Sequence, residues 1–424
     1  MKIGIRREDK GKWEKRAPLA PFHVSGLLEN GIEVLVQRSE VRVFKDEEYA
    51  AAGATLVDSV DDCDIILGVK EIPIEKFRPE KTYIFFSHTI KGQTHNMPSL
   101  KKLMDLGCNL LDYERIVDKE GKRLVFFGPF AGKAGMIDGL WGLGQKWNLT
   151  GLKTPFAEIK QTVHYHDFKD VKQSFAKIAA EISEHGFPPE TGPVVIGFAG
   201  YGNVSLGAQE VIDFLPVTPI GPAELLKDDF YKDYNPKTIY KVVFTLSDMY
   251  HYPDGSAFDK FAFFKRPEDF KSDFQNYWRR LTMLVNAIYW SEKADRIIRR
   301  KDLYEDTGRL SFIADISCDI EGGVEVTAKA TTIDEPFLTY LPKEDTVIDG
   351  ISAAGVPVLA VDNLPCELSR DATIYFGNSL FPLLKKIPGR NPDDFSQWPE
   401  EFKPSVILEK GKLTPKYEYL KNFI

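Results

Sequence analysis

The sequence is poor in cysteine. Its four residues, Cys63, Cys108, Cys318 and Cys366, are scattered through 424 positions without a CxxC spacing, so neither a disulfide framework nor a zinc site is expected and the thiols read as reduced core residues. No apolar run approaches the ~18 to 20 residues of a membrane-crossing helix. The opening "KIGI" enters a strand at once, without the n- and h-regions of a signal peptide, so no membrane is expected and the cytoplasm is the expected compartment. Dense Lys/Arg clusters are missing too, and the formal net charge is -8, which argues against nucleic acid or an anionic membrane as partner. Internal repeats and low-complexity tracts are absent. Small soluble ligands are the remaining class, and nothing in the composition speaks against a homo-oligomer.

The chain is 43% hydrophobic and 28% charged, enough apolar material for two or three globular domains with sizeable cores. Over the first 130 or so residues, short apolar runs ("KIGI", "IEVLVQ", "DIILGV", "TYIFFS", "NLLDY") alternate with helical or polar spacers, the pattern of a parallel α/β sheet. From Gly132, "GKAGMIDGLWGLGQKW" is a helix candidate whose glycines at 132, 135, 139, 142 and 144 predict close packing at a domain junction. Residues 150–192 show no strong periodicity. A second α/β unit begins at "PVVIGFAGYGNVSLGAQEVIDFL" and continues through "KVVFTL", "LTMLVNAIYW", "RLSFIADI" and "VPVLAVDNLP". The stretch "ELSRDATIYFGNSLFPLLKKI" has helical spacing, and the tail is expected to return to the first domain. The expected fold is thus α/β: two Rossmann-like, doubly wound parallel sheets, residues 1–133 with 365–424 forming a substrate and catalytic domain and 134–364 a dinucleotide domain, with the active site in the cleft between them.

The cofactor signal lies in "VVIGFAGYGNVSLGAQEVI". A strand is followed by Gly200 and Gly202, then by a helix opening at Asn203, Val204 and Ser205. Glycine permits the tight turn, bare backbone can approach a pyrophosphate, and the amides of a helix start face anionic oxygens. Ser205 stands where a third glycine is usual. Roughly 20 residues on, an acid would normally bind the ribose 2'-hydroxyl of NAD, yet "LPVTPIGPAEL" offers Thr218 and Ile220. That absence favours NADP(H), with NAD(H) still admissible, and Lys227 is the one cation near in sequence.

Chemistry is suggested at two strand ends. Lys70 follows the apolar run Ile65–Val69, and His88 follows Tyr83–Phe86. Parallel sheets gather ligand groups at such ends, and both residue types can move a proton near neutral pH once desolvated. Arg16, between a strand end and a helix beginning near Pro21, is suited to a bidentate carboxylate clamp. Asp315 and Asp319 in "ADISCDIEGG" are placed to orient a nicotinamide ribose or a catalytic histidine, or to serve as turn and cap residues. "HYHDF" lacks further ligands for a metal, and none is expected. "GPFAGKAG" departs from a phosphate loop in its spacing and in Ala134.

The stretches "IRREDKGKWEKRAPLAP", "ILGVKEIPIEKFRPEKTYIFFSHTIKGQTHNMP", "LDYERIVDKEGKRLVFFGPFAGKAGMI", "GYGNVSLGAQE", "DISCDIEGG" and "VDNLPCELSRDAT" resemble the lysine-ketoglutarate reductases, within the superfamily of alanine dehydrogenases and lysine-forming saccharopine dehydrogenases. The resemblance implies an oxidoreductase that condenses L-lysine with 2-oxoglutarate and reduces the imine with NAD(P)H to saccharopine, reversibly. By motif position, Lys70 resembles the catalytic lysine, His88 the catalytic histidine and Arg16 the arginine for a substrate carboxylate. Trp141 stands where relatives that use NAD carry an arginine. The further domain that would release aminoadipic semialdehyde has no counterpart in these stretches. The rival expectations are another amino-acid oxidoreductase of the alanine dehydrogenase type and a catalytically silent dinucleotide-binding subunit.

Overall fold

The computed structural model describes residues 1–389 and 392–424. Internal contacts divide the chain into two compact units, Met1–Phe127 with Ser369–Ile424, and Gly128–Leu368. The divisions fall at 128 and 369, not at 134 and 365, because the helix beginning at Gly128 belongs whole to the second unit and the helix Ser369–Leu384 whole to the first.

The first unit opens with β1 (Lys2–Ile5), α1 (Pro21–Glu29), β2 (Glu33–Gln37), α2 (Asp46–Ala51), β3 (Thr55–Val57), β4 (Ile65–Leu67), β5 (Thr82–Phe85), α3 (Met97–Asp105) and β6 (Asn109–Asp112). The strands pair in parallel in the order β6-β5-β4-β1-β2-β3. Ile65, Ile66 and Leu67 are all buried, as are Thr82 to Phe85, which is why these segments read as continuous apolar runs. Helix α1 starts at Pro21, whose missing N–H suits a first turn. It buries His23, Val24 and Leu27.

The second unit begins with α4 (Gly128–Leu149) and α5 (Phe168–His185), then β7 (Val195–Ala199), α6 (Asn203–Ile212), β8 (Val217–Pro219), β9 (Ile239–Phe244), β10 (Met283–Asn286), β11 (Phe312–Asp315), β12 (Phe337–Leu341), β13 (Thr346–Asp349) and β14 (Val356–Leu359). Its sheet has the order β13-β12-β14-β11-β10-β7-β9-β8. Six strands are parallel, while β12 pairs antiparallel with both β14 and β13. The sheet is parallel as expected across these six strands and mixed at one edge, because β12 and β13 form a hairpin that has no crossover helix.

Residues 168–185, expected to be irregular, form an amphipathic helix. Phe168, Val171, Phe175, Ile178 and Ile182 are buried at helical spacing, Asp167 caps the start by accepting from the Asp170 amide, and Gly186 closes it at φ +73°. The glycines of α4 pack inside their own unit. A Cβ on Gly132 would overlap the Val204 carbonyl of α6, one on Gly139 would meet Met283 of β10, and one on Gly142 would meet Phe312 of β11. This stripe lets α4 lie directly on α6 and on the sheet. Trp141 of the same helix packs on Phe337 at 5.1 Å between ring centroids.

The tail completes the first sheet. Beyond the Ser369–Leu384 helix, β15 (Val406–Glu409) pairs antiparallel with β6, and β16 (Lys412–Leu413) pairs antiparallel with β15. This sheet is also mixed at one edge. None of the four cysteines forms a disulfide, and Cys63, Cys108 and Cys366 are buried. Among the described residues, no helix is long and apolar enough to cross a membrane.

Candidate functional site

In the first unit, β4 and β5 are neighbours, with Leu67 beside Ile84. Lys70 and His88 each stand three residues past the end of their strand, at the same carboxyl edge of the sheet. The link between the two strand ends is Glu71, whose Oε1 lies 2.5 Å from His88 Nδ1 and whose Oε2 accepts from Lys10 Nζ at 2.8 Å. Burial works to raise the Glu71 carboxyl, but His88 and Lys10 outweigh it and hold the group well below the usual carboxylate range. A carboxylate on Nδ1 leaves Nε2 of His88 to act outward. The backbone of His88 is itself unusual, at φ +52°, and its carbonyl accepts from Asn96 Nδ2 at 3.0 Å. A non-glycine residue in that region costs energy that the surrounding contacts must offset.

Lys70 is mostly buried, and burial together with the Arg16 and Lys10 charges lowers its pKa, while Glu14 and Glu71 act in the opposite direction. Its backbone is fixed by Glu8, whose two oxygens accept from the amides of Val69 and Lys70 at 2.8 and 2.9 Å. Burial pushes the Glu8 carboxyl up to about 7, against the pull of Arg6 and with a push from Glu14. Arg16 is 3% exposed. Its guanidinium meets Glu14 at two points, 2.8 and 2.6 Å, and lies 4.3 Å from the centre of the Phe127 ring. The expected carboxylate clamp is thus already engaged by a carboxylate of the chain itself. Glu8, Glu14 and Glu71 are not legible as site residues in the sequence because they sit in strings of mixed charge, "REDKGKWEKR" and "VKEIP", that look like solvated surface. The usable signal was adjacency, since Glu71 directly follows Lys70.

In the second unit, Gly200 follows β7 at φ +100°, and a Cβ there would meet the Ala287 carbonyl oxygen at 3.0 Å. Gly202 precedes α6, and a Cβ on it would meet no atom within 4 Å. The first glycine is required by the turn; the second leaves open space beside the chain, which fits a group that approaches the backbone closely. Asn203 is exposed and Val204 half-buried at the start of α6. Ser205 is fully buried and its hydroxyl accepts from Gln209 at 3.0 Å. The close-packing role of a third glycine falls to Gly207, where a Cβ would overlap the Pro129 carbonyl of α4.

Asp315 ends β11 and is 1% exposed. Oδ2 accepts from the Thr327 hydroxyl at 2.5 Å, and Oδ1 from Asn286 Nδ2 at 2.8 Å and the Cys318 amide at 3.3 Å. Both oxygens are turned inward, so of its two alternatives the structure favours the turn and cap role over contact with a ribose. Burial raises its pKa to about 6, partly offset by Thr327 and Asn286. Asp319 is half-buried in the turn that follows, where its carbonyl accepts from the Gly322 amide at 2.9 Å. His164 and His166 do not converge: the first lies in a 3-10 turn and the second is exposed beside Asp167.

The segment expected to carry a ribose-binding acid is displaced. β8 is not the neighbour of β7; β9 lies between them. Thr218 pairs with Tyr240 and Pro219 with Lys241, whereas Ala199 at the end of β7 pairs with Phe244. Ile220 therefore lies two strands away from the Gly200 turn, with β9 between, and about 10 Å short of its level along the strands.

Comparison with known proteins agrees with this architecture. Residues 4–134 match the family described as alanine dehydrogenase/PNT, N-terminal domain. Over 99% of its length the chain is 36% identical to alpha-aminoadipic semialdehyde synthase of Arabidopsis thaliana, covering 41% of that protein. It is 27% identical to the saccharopine dehydrogenase [NAD(+), L-lysine-forming] of Yarrowia lipolytica, covering 92% of this chain and 93% of that one. The chain thus spans less than half the length of the semialdehyde synthases it matches. A solved L-alanine dehydrogenase shares the fold across the full length of both chains, at a TM-score of 0.63 and 15% identity. Residues 4–134 thus carry an alanine dehydrogenase/PNT N-terminal domain, and the chain as a whole is similar to part of the alpha-aminoadipic semialdehyde synthases and, at lower identity, to the lysine-forming saccharopine dehydrogenases.

Proposed function

We propose that this chain is an oxidoreductase that condenses L-lysine with 2-oxoglutarate and reduces the resulting imine with NAD(P)H, giving saccharopine. The observation that carries the reading is the placing of Lys70 and His88 at the ends of adjacent parallel strands, with Glu71 joining the histidine to the loop that holds the lysine.

The ε-amine of the substrate must be unprotonated to attack the keto carbon. The carbinolamine must then lose water, and the secondary amine formed must end protonated. A nicotinamide dinucleotide, held at the Gly200–Ser205 turn, would supply the hydride or accept it in reverse. His88, its Nδ1 held by Glu71, gives the proton that lets water leave, and takes it back when water adds in reverse. Lys70, with its pKa lowered by burial and by Arg16 and Lys10, gives a proton to the new amine nitrogen, and in reverse removes it. Arg16, oriented by Glu14 and by the face of Phe127, is the anchor proposed for a substrate carboxylate. The Gly200–Ser205 turn is the proposed seat of the pyrophosphate, an assignment supported by the open space at Gly202.

The test is the oxidation of NADPH or NADH by the purified chain, followed at 340 nm. The reading requires that oxidation depend on both L-lysine and 2-oxoglutarate. Oxidation with pyruvate and ammonia instead would identify an alanine dehydrogenase and overturn it.

A further inference from the structure

We propose that the 2'-substituent of the dinucleotide's adenosine ribose is read at the end of β9, by the hydroxyls of Thr245 and Ser247 and the ammonium of Lys260, and not at residues 218–223. This rests on the dinucleotide-binding reading of the Gly200–Ser205 turn and names the residues that select the cofactor there.

The first support is strand order. In an open α/β sheet the ligand lies beyond the carboxyl ends of the strands, and the adenosine ribose falls against the strand that neighbours the glycine turn. That strand is β9: Ala199 pairs with Phe244, and the Gly200 amide donates to the Phe244 carbonyl at 3.1 Å. Thr245 is therefore the residue beside Gly200. β8 lies beyond β9 and stops three pairings short of this edge.

The second support is what stands at this edge. Thr245 and Ser247 are both exposed, their hydroxyl oxygens 2.9 Å apart. The nearby acid is Asp248, and its Oδ2 accepts from the Thr245 amide and hydroxyl, each at 2.7 Å. A cation arrives from a different part of the sequence. Lys260, at the start of the helix Lys260–Lys265, holds its ammonium 5.2 Å from the centre of the Tyr201 ring, within the glycine turn itself. The Thr245 hydroxyl gives its proton to Asp248, so of the groups at this edge the Lys260 ammonium is the one that suits a phosphate monoester, whereas a ribose with a free 2'-hydroxyl gains little from it. NADP(H) is therefore bound at least as tightly as NAD(H).

The experiment measures dissociation constants of NADPH and NADH by nicotinamide fluorescence, in the absence of other substrates, for the natural chain and three variants. Thr245→Asp is expected to weaken NADPH about ten-fold or more relative to NADH, since a fixed carboxylate repels the 2'-phosphate. Lys260→Ala, on an exposed side chain that folding does not need, is expected to weaken NADPH several-fold and leave NADH unchanged. Ile220→Asp is expected to alter neither. An Ile220→Asp shift as large as that of Thr245→Asp would return selectivity to the 218–223 segment and overturn the proposal. So would unchanged NADPH to NADH ratios in both Thr245→Asp and Lys260→Ala. Failure of the natural chain to bind either dinucleotide would remove the dinucleotide reading, and this one with it.

Discussion

At the scale of single residues, the charged groups of the candidate site stand where water is scarce. Lys70 is the clearest case, because burial and the neighbouring Arg16 make the ammonium form less favourable than in free lysine. Lys70→Met is expected to lower the maximal rate by about 10² or more while leaving dinucleotide affinity within a few-fold, since positioned acid/base groups typically contribute 10² to 10⁴. Steady-state kinetics beside a fluorescence titration separate the two effects, and unchanged turnover would make Lys70 a strand-end lysine only. Asp315 gives a stability prediction. Its folded pKa of about 6 lies above the ordinary 3.8, so between those values the native state holds a proton that the unfolded chain has released. The contribution is complete below pH 3.8 and is lost as pH rises towards 6, amounting to about 3 kcal/mol at most. Urea unfolding of Asp315→Asn against the natural protein should therefore show a gap that shifts in favour of the variant across that window and stays flat above it. A gap independent of pH would show that Asp315 titrates normally.

At the scale of elements, two glycines make opposite predictions. Gly132 faces the Val204 carbonyl with no room for a Cβ, whereas Gly202 faces open space at an ordinary backbone angle, φ -80°. Gly132→Ala should force α4 and α6 apart and cost about 3 kcal/mol or more, visible as a lower melting temperature. Gly202→Val should fold as the natural chain does and bind neither dinucleotide, which circular dichroism and a binding titration report separately. Wild-type affinity in that variant would move the pyrophosphate elsewhere. The same elements show what the sequence makes legible. Strands buried on both faces, such as β4, β5, β7, β10 and β11, announce themselves as apolar runs. β3 and β8 are only three residues long and partly exposed, and carry too little pattern to be read. The hairpin β12–β13 hides behind a polar turn, "PKEDT", and in α5 the charged residues between the apolar ones mask their helical spacing. Lys70 and His88 could be found because each follows a readable strand. That β9 and not β8 lies beside β7 is not legible, since it depends on how the chain crosses the sheet, and adjacent sequence does not encode that.

At the scale of the whole molecule, one unit is assembled from two distant segments and the other from a continuous one. Strand β15 covers β6, and Val406, Ile407, Leu408, Tyr417 and Leu420 of the tail are buried. Deleting residues 403–424 should leave β6 as a bare edge with unsatisfied backbone groups. Hydrogen exchange is then expected to speed up in β5 and β6 while β7, β10 and β11 keep their protection. Equal loss in both sheets would show that the tail supports the chain as a whole and not the first unit alone. The discontinuity also sets a schedule for biosynthesis. A ribosome has released all of residues 128–368 before it has made the strand that closes β6, so the second unit can mature while the first still waits with an open flank. The flank stays open for on the order of tens of seconds at usual elongation rates, and that is the period in which a nascent chain of this protein is most exposed to pairing with a neighbour on the same messenger.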